Sequence, residues 1–172
     1  MSSNPAIVDP LNTAKLLIEA LPYIQQFAGK TIVVKYGGNA LAGATDDDVL
    51  GAFARDIALL HAVGIKPVVV HGGGPQISAL MERLGKTPSF HNGLRVTDAE
   101  TIEIVSMVLL GTVNPQIVSA VNLHGAPAVG VSGHDAKMFV VAPRDEALGF
   151  VGDITRVDAT IVKELLADSR VP

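Results

Sequence analysis

Three short stretches carry residue types that handle anions. In Val68–Gln76, VVVHGGGPQ, a β-branched run ends in His71 and three glycines, and Pro75 follows. Bare backbone between a strand and a helix leaves N–H groups unblocked, and the helix dipole adds positive potential there. A tight turn needs one glycine, whereas three in a row permit close approach by a bound group. In Val33–Gly38, VVKYGG, Lys35 stands one residue from the end of an apolar run, and Gly37 and Gly38 come next. A lysine on a buried strand is costly unless an anion meets it. A point charge beside free amides suits a polyphosphate; the alternative is an edge lysine whose ammonium reaches water. In Asn92–Asp98, NGLRVTD, Arg95 lies in an extended segment between apolar neighbours. Its planar fork matches a carboxylate with two parallel hydrogen bonds, and a surface arginine on a hairpin fits the same local sequence equally well.

Other chemistries find less support. The dinucleotide pattern G-x-G-x-x-G fails at Ile77, and Gly29-Lys30-Thr31 and Gly85-Lys86-Thr87 lack the leading glycine of a phosphate loop, with Ile24 and Leu80 in its place. The five histidines show no metal spacing, and no G-x-S-x-G elbow occurs. Gly130–Ala136, GVSGHDA, ends another strand, but His134 and Asp135 have no visible third partner, so a structural turn is the better reading.

The elements that must hold these residues follow from periodicity. Apolar residues at helical spacing predict a helix over 11–27 that Pro22 should kink, and Gly29 ends it. A strand is expected at Thr31–Tyr36, then a helix from Asp46 to about Val63, opened by three carboxylates at its positive end. Lys66–His71 reads as a strand and Pro75 to about Leu84 as a helix. Residues 86–97 read as an extended or hairpin segment around Asn92-Gly93. Two helices are expected, one capped by Asp98 and running to about Leu110, the other from near Val113 to Leu123. Ala126–Val131 reads as a strand, 137–142 and 149–157 as a strand pair, and Asp158 as the cap of a last helix to about Ala167. Strands that are apolar throughout and alternate with helices predict an α/β fold: a mostly parallel central sheet with helices on both faces. Twice a helix ends, a proline punctuates and a strand starts, at 64–70 and 125–131. After the last helix the strand of that pattern is missing, and we expect the chain to be part of a longer α/β protein.

Composition narrows the class. The chain has 172 residues, 48% hydrophobic, enough for one compact core. A net charge of −4 and 4% aromatics disfavour a nucleic-acid surface. There is no cysteine, which excludes disulfides and thiolate metal sites. No signal-peptide pattern opens the sequence, and no unbroken apolar run reaches membrane-spanning length, so a soluble cytoplasmic protein without membrane partners is the expectation.

Six stretches then occur in order: VVKYGGNA, VVVHGGGPQI, NGLRVTD, GTVNPQIV, AVGVSGHDA and GFVGDI. Together they resemble the amino acid kinase family from about residue 12 onward. The likeness is closest to its members that phosphorylate the side-chain carboxylate of N-acetyl-L-glutamate with Mg-ATP, in arginine synthesis by the acetylated route. The resemblance implies a three-layer α/β/α fold, with residues 1–28 as an N-terminal extension and 29–172 as the acid-binding lobe, the ATP-binding lobe being absent. It implies that Lys35 stabilises charge on the phosphoryl group in flight. Gly37 and Gly38 would touch the nucleotide phosphates, Gly73 and Gly74 would hold the acyl substrate through their amides, and Arg95 would bind its carboxylate. ATP with Mg2+ is the implied co-substrate, and no resident metal is implied.

The family's further substrate asparagine, organising aspartate, second catalytic lysine and most of its adenine pocket have no counterpart in these 172 residues. The chain alone is therefore expected to be inactive as a kinase. His134 and Ala136 depart from the family pattern and weaken any role for their loop. The helix at 11–27 resembles the extra helix that interlaces dimers into a hexamer in arginine-inhibited members, so a dimer or hexamer and feedback by arginine are implied. The rival readings are another amino acid kinase, acting on carbamate or aspartate, and a non-catalytic module that binds a small acid for regulation or assembly.

Overall fold

The computed structural model describes residues 9–37 and 46–172, with the backbone alone at 46–48. Helix α1 (Pro10–Phe27) starts at Asp9, whose carboxylate accepts from the Leu11 N–H, and continues through Pro22. Strand β1 (Thr31–Tyr36), helix α2 (Asp46–Ala62) and strand β2 (Lys66–His71) follow. Helix α3 is Gly74–Arg83, and the short strands β3 (Phe90–His91) and β4 (Leu94–Arg95) form an antiparallel hairpin. Its turn residues Asn92 and Gly93 have φ of 50° and 78°, the left-handed pair that a two-residue hairpin turn demands. Helix α4 (Ala99–Val108) is capped by Asp98, and helix α5 is Asn114–Leu123. Strands β5 (Phe139–Pro143) and β6 (Gly152–Val157) pair antiparallel, and helix α6 is Thr160–Ala167, where the Asp158 carboxylate accepts from the Thr160 N–H and hydroxyl.

β1 and β2 run parallel with Thr31 opposite Lys66 and Tyr36 opposite His71. The sheet continues as single contacts. The Val69 N–H donates to the Pro172 carbonyl, Val171 donates to Pro127, and Val129 donates to Val171. The expected strand at 126–131 is thus reduced to one parallel bridge, Ala128 with Val171. On the opposite edge, the Ala128 N–H points away from Val171 and donates to the Asn122 side chain at 2.8 Å.

The core lies on one face of this sheet. Val34 and Val69 pack on a cluster that includes Ala54 and Ile57 of α2, Ile77 and Met81 of α3, Ile104 and Val108 of α4, and Ile117 and Val121 of α5. Tyr36 stacks on Phe53 with ring centroids 4.2 Å apart. Val33 and Val70, on the other face, are exposed.

The two helices expected from Asp98 to Leu123 are joined. A π-turn, Leu109–Val113, links α4 to α5, and the Asn114 N–H reaches back to the Leu109 carbonyl. Pro115 explains the wider turn: it has no N–H for the residue 111 carbonyl, and its ring crowds the preceding turn. The joined run, Ala99–Leu123, is long and apolar enough by length and composition to cross a membrane. In this fold its buried residues Ile104, Val108, Val113, Ile117 and Val121 belong to the core.

Candidate functional site

The parallel pairing of β1 and β2 brings Gly37 and the glycine turn after β2 to one sheet end. Lys35 lies opposite Val70 and Tyr36 opposite His71, so Gly37 and Gly72 leave the sheet side by side. The Gly72 N–H donates to the Tyr36 carbonyl at 3.4 Å. Gly38 lies outside the described residues. Lys35 is exposed, on the face that carries Val33 and Val70. The lysine expected on a buried strand is thus on an open face of β1, and its ammonium needs no buried anion. What remains is its place at the strand end beside Gly37.

Gly73 is buried and precedes α3, with the Ile77 N–H donating to its carbonyl at 2.9 Å. A Cβ at Gly73 would stand 2.6 Å from Leu109 Cδ2 of the π-turn, so the absence of a side chain admits that close packing. Gly74 is exposed as the first residue of α3. The Gln76 side-chain oxygen is buried near this turn and has no hydrogen-bond donor among the described residues.

Arg95 comes to the same place from the hairpin. Its Nη2 donates to the Gly74 carbonyl at 3.2 Å and to Ser78 Oγ at 2.9 Å, and its Nη1 donates to Met81 Sδ at 3.3 Å. The guanidinium lies over the Phe90 ring, 4.7 Å from its centroid. Partial burial pulls its pKa down from the usual arginine range, and the group stays cationic regardless. A thioether is a weak acceptor. A carboxylate oxygen reaching Nη1 would replace it with a charged partner at a net gain.

The segment holding Arg95 is tied down on both sides. Thr97 donates its N–H to the Leu148 carbonyl at 2.9 Å, and its own carbonyl accepts from Phe150 at 2.7 Å. Gly149, with φ of 67°, permits this contact; a Cβ there would overlap the Thr97 carbonyl. On the other side Lys86 donates to both Asp98 oxygens at 2.8 and 2.7 Å and to Glu100 at 2.8 Å. The Lys86 ammonium and the Thr101 N–H hold the Asp98 carboxyl well below the usual carboxylate range.

The sequence points to Lys35, Gly37, Gly38, Gly73, Gly74 and Arg95, and the five of these that are described lie at or next to this sheet end. Ser78 and Phe90, which hold Arg95, are not among them. A signal existed for Ser78, one helical turn beyond Gly74; the ring contact of Phe90 exists only once the hairpin folds back. At 130–136 the structure shows a turn, with the Asp135 carboxylate accepting from the Ser132 N–H and hydroxyl.

The amino acid kinase family pattern matches residues 30–172. The chain is 50% identical over 164 residues to the acetylglutamate kinase of Jannaschia sp. (strain CCS1), covering 95% of this chain and 56% of that protein. It is 51% identical to that of Chromobacterium violaceum, covering 95% and 58%. The chain thus spans somewhat over half the length of these curated relatives. Among solved structures, N-acetylglutamate synthase from Neisseria gonorrhoeae complexed with coenzyme A and N-acetyl-glutamate superposes with a TM-score of 0.74 at 28% identity, covering 92% of this chain and 36% of that one. Glycines that leave neighbouring parallel strands at one end, an arginine brought to the second of these exits, and a family match over most of the sequence lead to one conclusion: the chain belongs to the amino acid kinase family.

Proposed function

We propose that this chain forms the acid-binding part of an acetylglutamate kinase, in which ATP phosphorylates the side-chain carboxylate of N-acetyl-L-glutamate. In this reading the Gly73 and Gly74 amides and the Arg95 guanidinium hold the acid, while Lys35, Gly37 and Gly38 face the phosphates. The observation that carries it is Arg95, held at the Gly74 carbonyl with a thioether on its second terminal nitrogen. Identity of about 50% to acetylglutamate kinases favours this acid over carbamate or aspartate.

The chemistry asked of these residues is positioning and charge neutralisation. Two polyanions must meet in line, and converging amides with a nearby ammonium lower that cost. The attacking carboxylate is already ionised near neutral pH, so no general base is needed. Mg2+ prefers phosphate oxygens and water, and it would enter with the nucleotide. A cytoplasmic location goes with this reading, because ATP is the co-substrate.

We further propose that α1 is an assembly element, in a dimer or hexamer, with arginine as the feedback ligand. It exposes Leu16, Leu17, Ile18 and Leu21 and buries none of its residues. The Neisseria gonorrhoeae synthase complexed with coenzyme A and L-arginine, which superposes at a TM-score of 0.69, supports the choice of ligand.

Release of ADP by the full-length enzyme tests the kinase reading. It should depend on N-acetyl-L-glutamate and not on aspartate or carbamate. Lys35→Ala should lower kcat roughly a hundredfold, the scale of losing one preorganised donor. Unchanged turnover in that variant would instead support a regulatory module. Robust turnover by these 172 residues alone would overturn the division into acid-binding and nucleotide-binding parts.

A further inference from the structure

The stretch GTVNPQIV has no role in the mechanism above, yet its Asn114 reaches the glycine turn. Asn114 Nδ2 donates to His71 Nε2 at 3.2 Å across 43 residues of sequence. On the other side of the ring, His71 Nδ1 lies 3.0 Å from the Gly72 carbonyl oxygen. A carbonyl can only accept, so Nδ1 carries the proton and Nε2 is the bare nitrogen that accepts from Asn114. The two bonds together select one neutral tautomer.

The relay ends on a peptide plane. The Gly72 carbonyl and the Gly73 N–H belong to the same trans peptide unit and point in opposite directions. Fixing the carbonyl toward the His71 ring therefore turns the Gly73 N–H away from it. Glycine on both sides of that unit leaves no side chain to hold the plane, and a relay from outside the turn replaces what local sterics would otherwise supply.

Asn114 is itself held. The π-turn sets its place on the helix, and its carboxamide oxygen lies directly on Gly130, where a Cβ would overlap it. Leu109 and Val113 of the same π-turn press on Gly73. One helical irregularity thus touches the ends of two sheet segments at once, β2 and residues 126–131. This also gives Gly130 a function that the turn at 130–136 did not suggest.

The geometry points to Asn114 and His71 as positioning residues that set the direction of the Gly73 N–H, with Gly130 as the seat that keeps Asn114 in place. The inference rests on the proposed role of Gly73 in holding the acid, and it is separable from that role in experiment. Nitrogen NMR of the ligand-free chain should show His71 protonated at Nδ1 alone, assigned by loss of its signals in His71→Gln. Asn114→Asp, which keeps the shape and loses the donor, and Gly130→Ala, which leaves the Asn114 and His71 side chains intact but displaces Asn114, should each mix the tautomers and move the Gly73 amide resonance. Each should also weaken N-acetyl-L-glutamate binding about tenfold by calorimetry, the scale of one lost hydrogen bond.

A wild-type ring protonated at Nε2 would overturn the inference. So would a Gly73 amide and an affinity that stay put in both variants. Should the wild-type chain fail to bind the acid, the substrate reading falls, and the tautomer and the Gly73 resonance still decide whether the relay exists. Should one variant fail to fold, the other reads the same link.

Discussion

Helices α1 and α3 both begin with a proline in the first turn and both carry apolar residues at helical spacing. They end up in opposite situations. α3 buries Ile77 and Met81 and presents Gly74 and Ser78 to Arg95. α1, nearly twice as long, buries nothing, and Leu17 and Ile18 are 62% and 68% exposed. Amphipathicity states that a helix has an apolar side and leaves open what covers it. In α3 the cover is the chain's own α4 and core, so its position is fixed and a site can be built on it. In α1 no residue is buried by the other described residues, which is why assembly is its proposed role.

The contrast can be broken most directly by truncating one side chain in each helix. Met81→Ala should cost about 2–5 kcal/mol in chemical denaturation, as for other fully buried large side chains. Leu17→Ala should stay within roughly 0.5 kcal/mol. Equal losses would mean that α1 is packed against something within the chain. Next in size is Gly149→Ala, which forces a side chain into left-handed backbone and against the Thr97 carbonyl. A loss of at least about 2 kcal/mol is expected, with weaker acid binding because Arg95 sits two residues from Thr97.

The ion cluster behind Arg95 gives a pH signature. The folded-state pKa of Asp98 is depressed, so its contribution is present above the unfolded value near 3.8 and is lost as pH falls below it. Asp98→Asn keeps a good helix cap but removes the charge. It should melt below wild type at pH 7, and the two melting curves should converge as the pH is lowered past that value. A gap that persists in acid would assign the effect to the cap instead of the Lys86 pair. The smallest expected change in stability is removal of residues 1–28, within roughly 0.5 kcal/mol, because nothing in α1 is buried. Sedimentation of the same variant should show a smaller assembly. An unchanged assembly would discard the proposed role of α1.

Much of the fold was legible because its signals are local. The strand at Lys66–His71 and the hairpin turn at Asn92-Gly93 follow from β-branched runs and left-handed glycine chemistry, and both formed as expected. The break expected between the two helices near residue 111 did not form, because a π-turn absorbs Pro115 without ending the helix. The strand at 126–131 shrank to a single bridge with Val171, whose partner segment lies more than forty residues on and is not foretold by any local pattern. Lys35 shows the same limit: position in a strand was readable, but which face of the sheet stays open was not.

By itself the sequence determined the parallel α/β pattern, the glycine turns after β1 and β2, and the residues able to meet an anion. These depend on backbone conformations and periodicities set within a few residues of each other. Only the tertiary structure decided that Arg95 meets Gly74, that Phe90 and Ser78 hold it, and that Asn114 reaches His71 from 43 residues away. Those contacts join distant segments, and their geometry is set by how helices pack on a shared core, which no local pattern encodes.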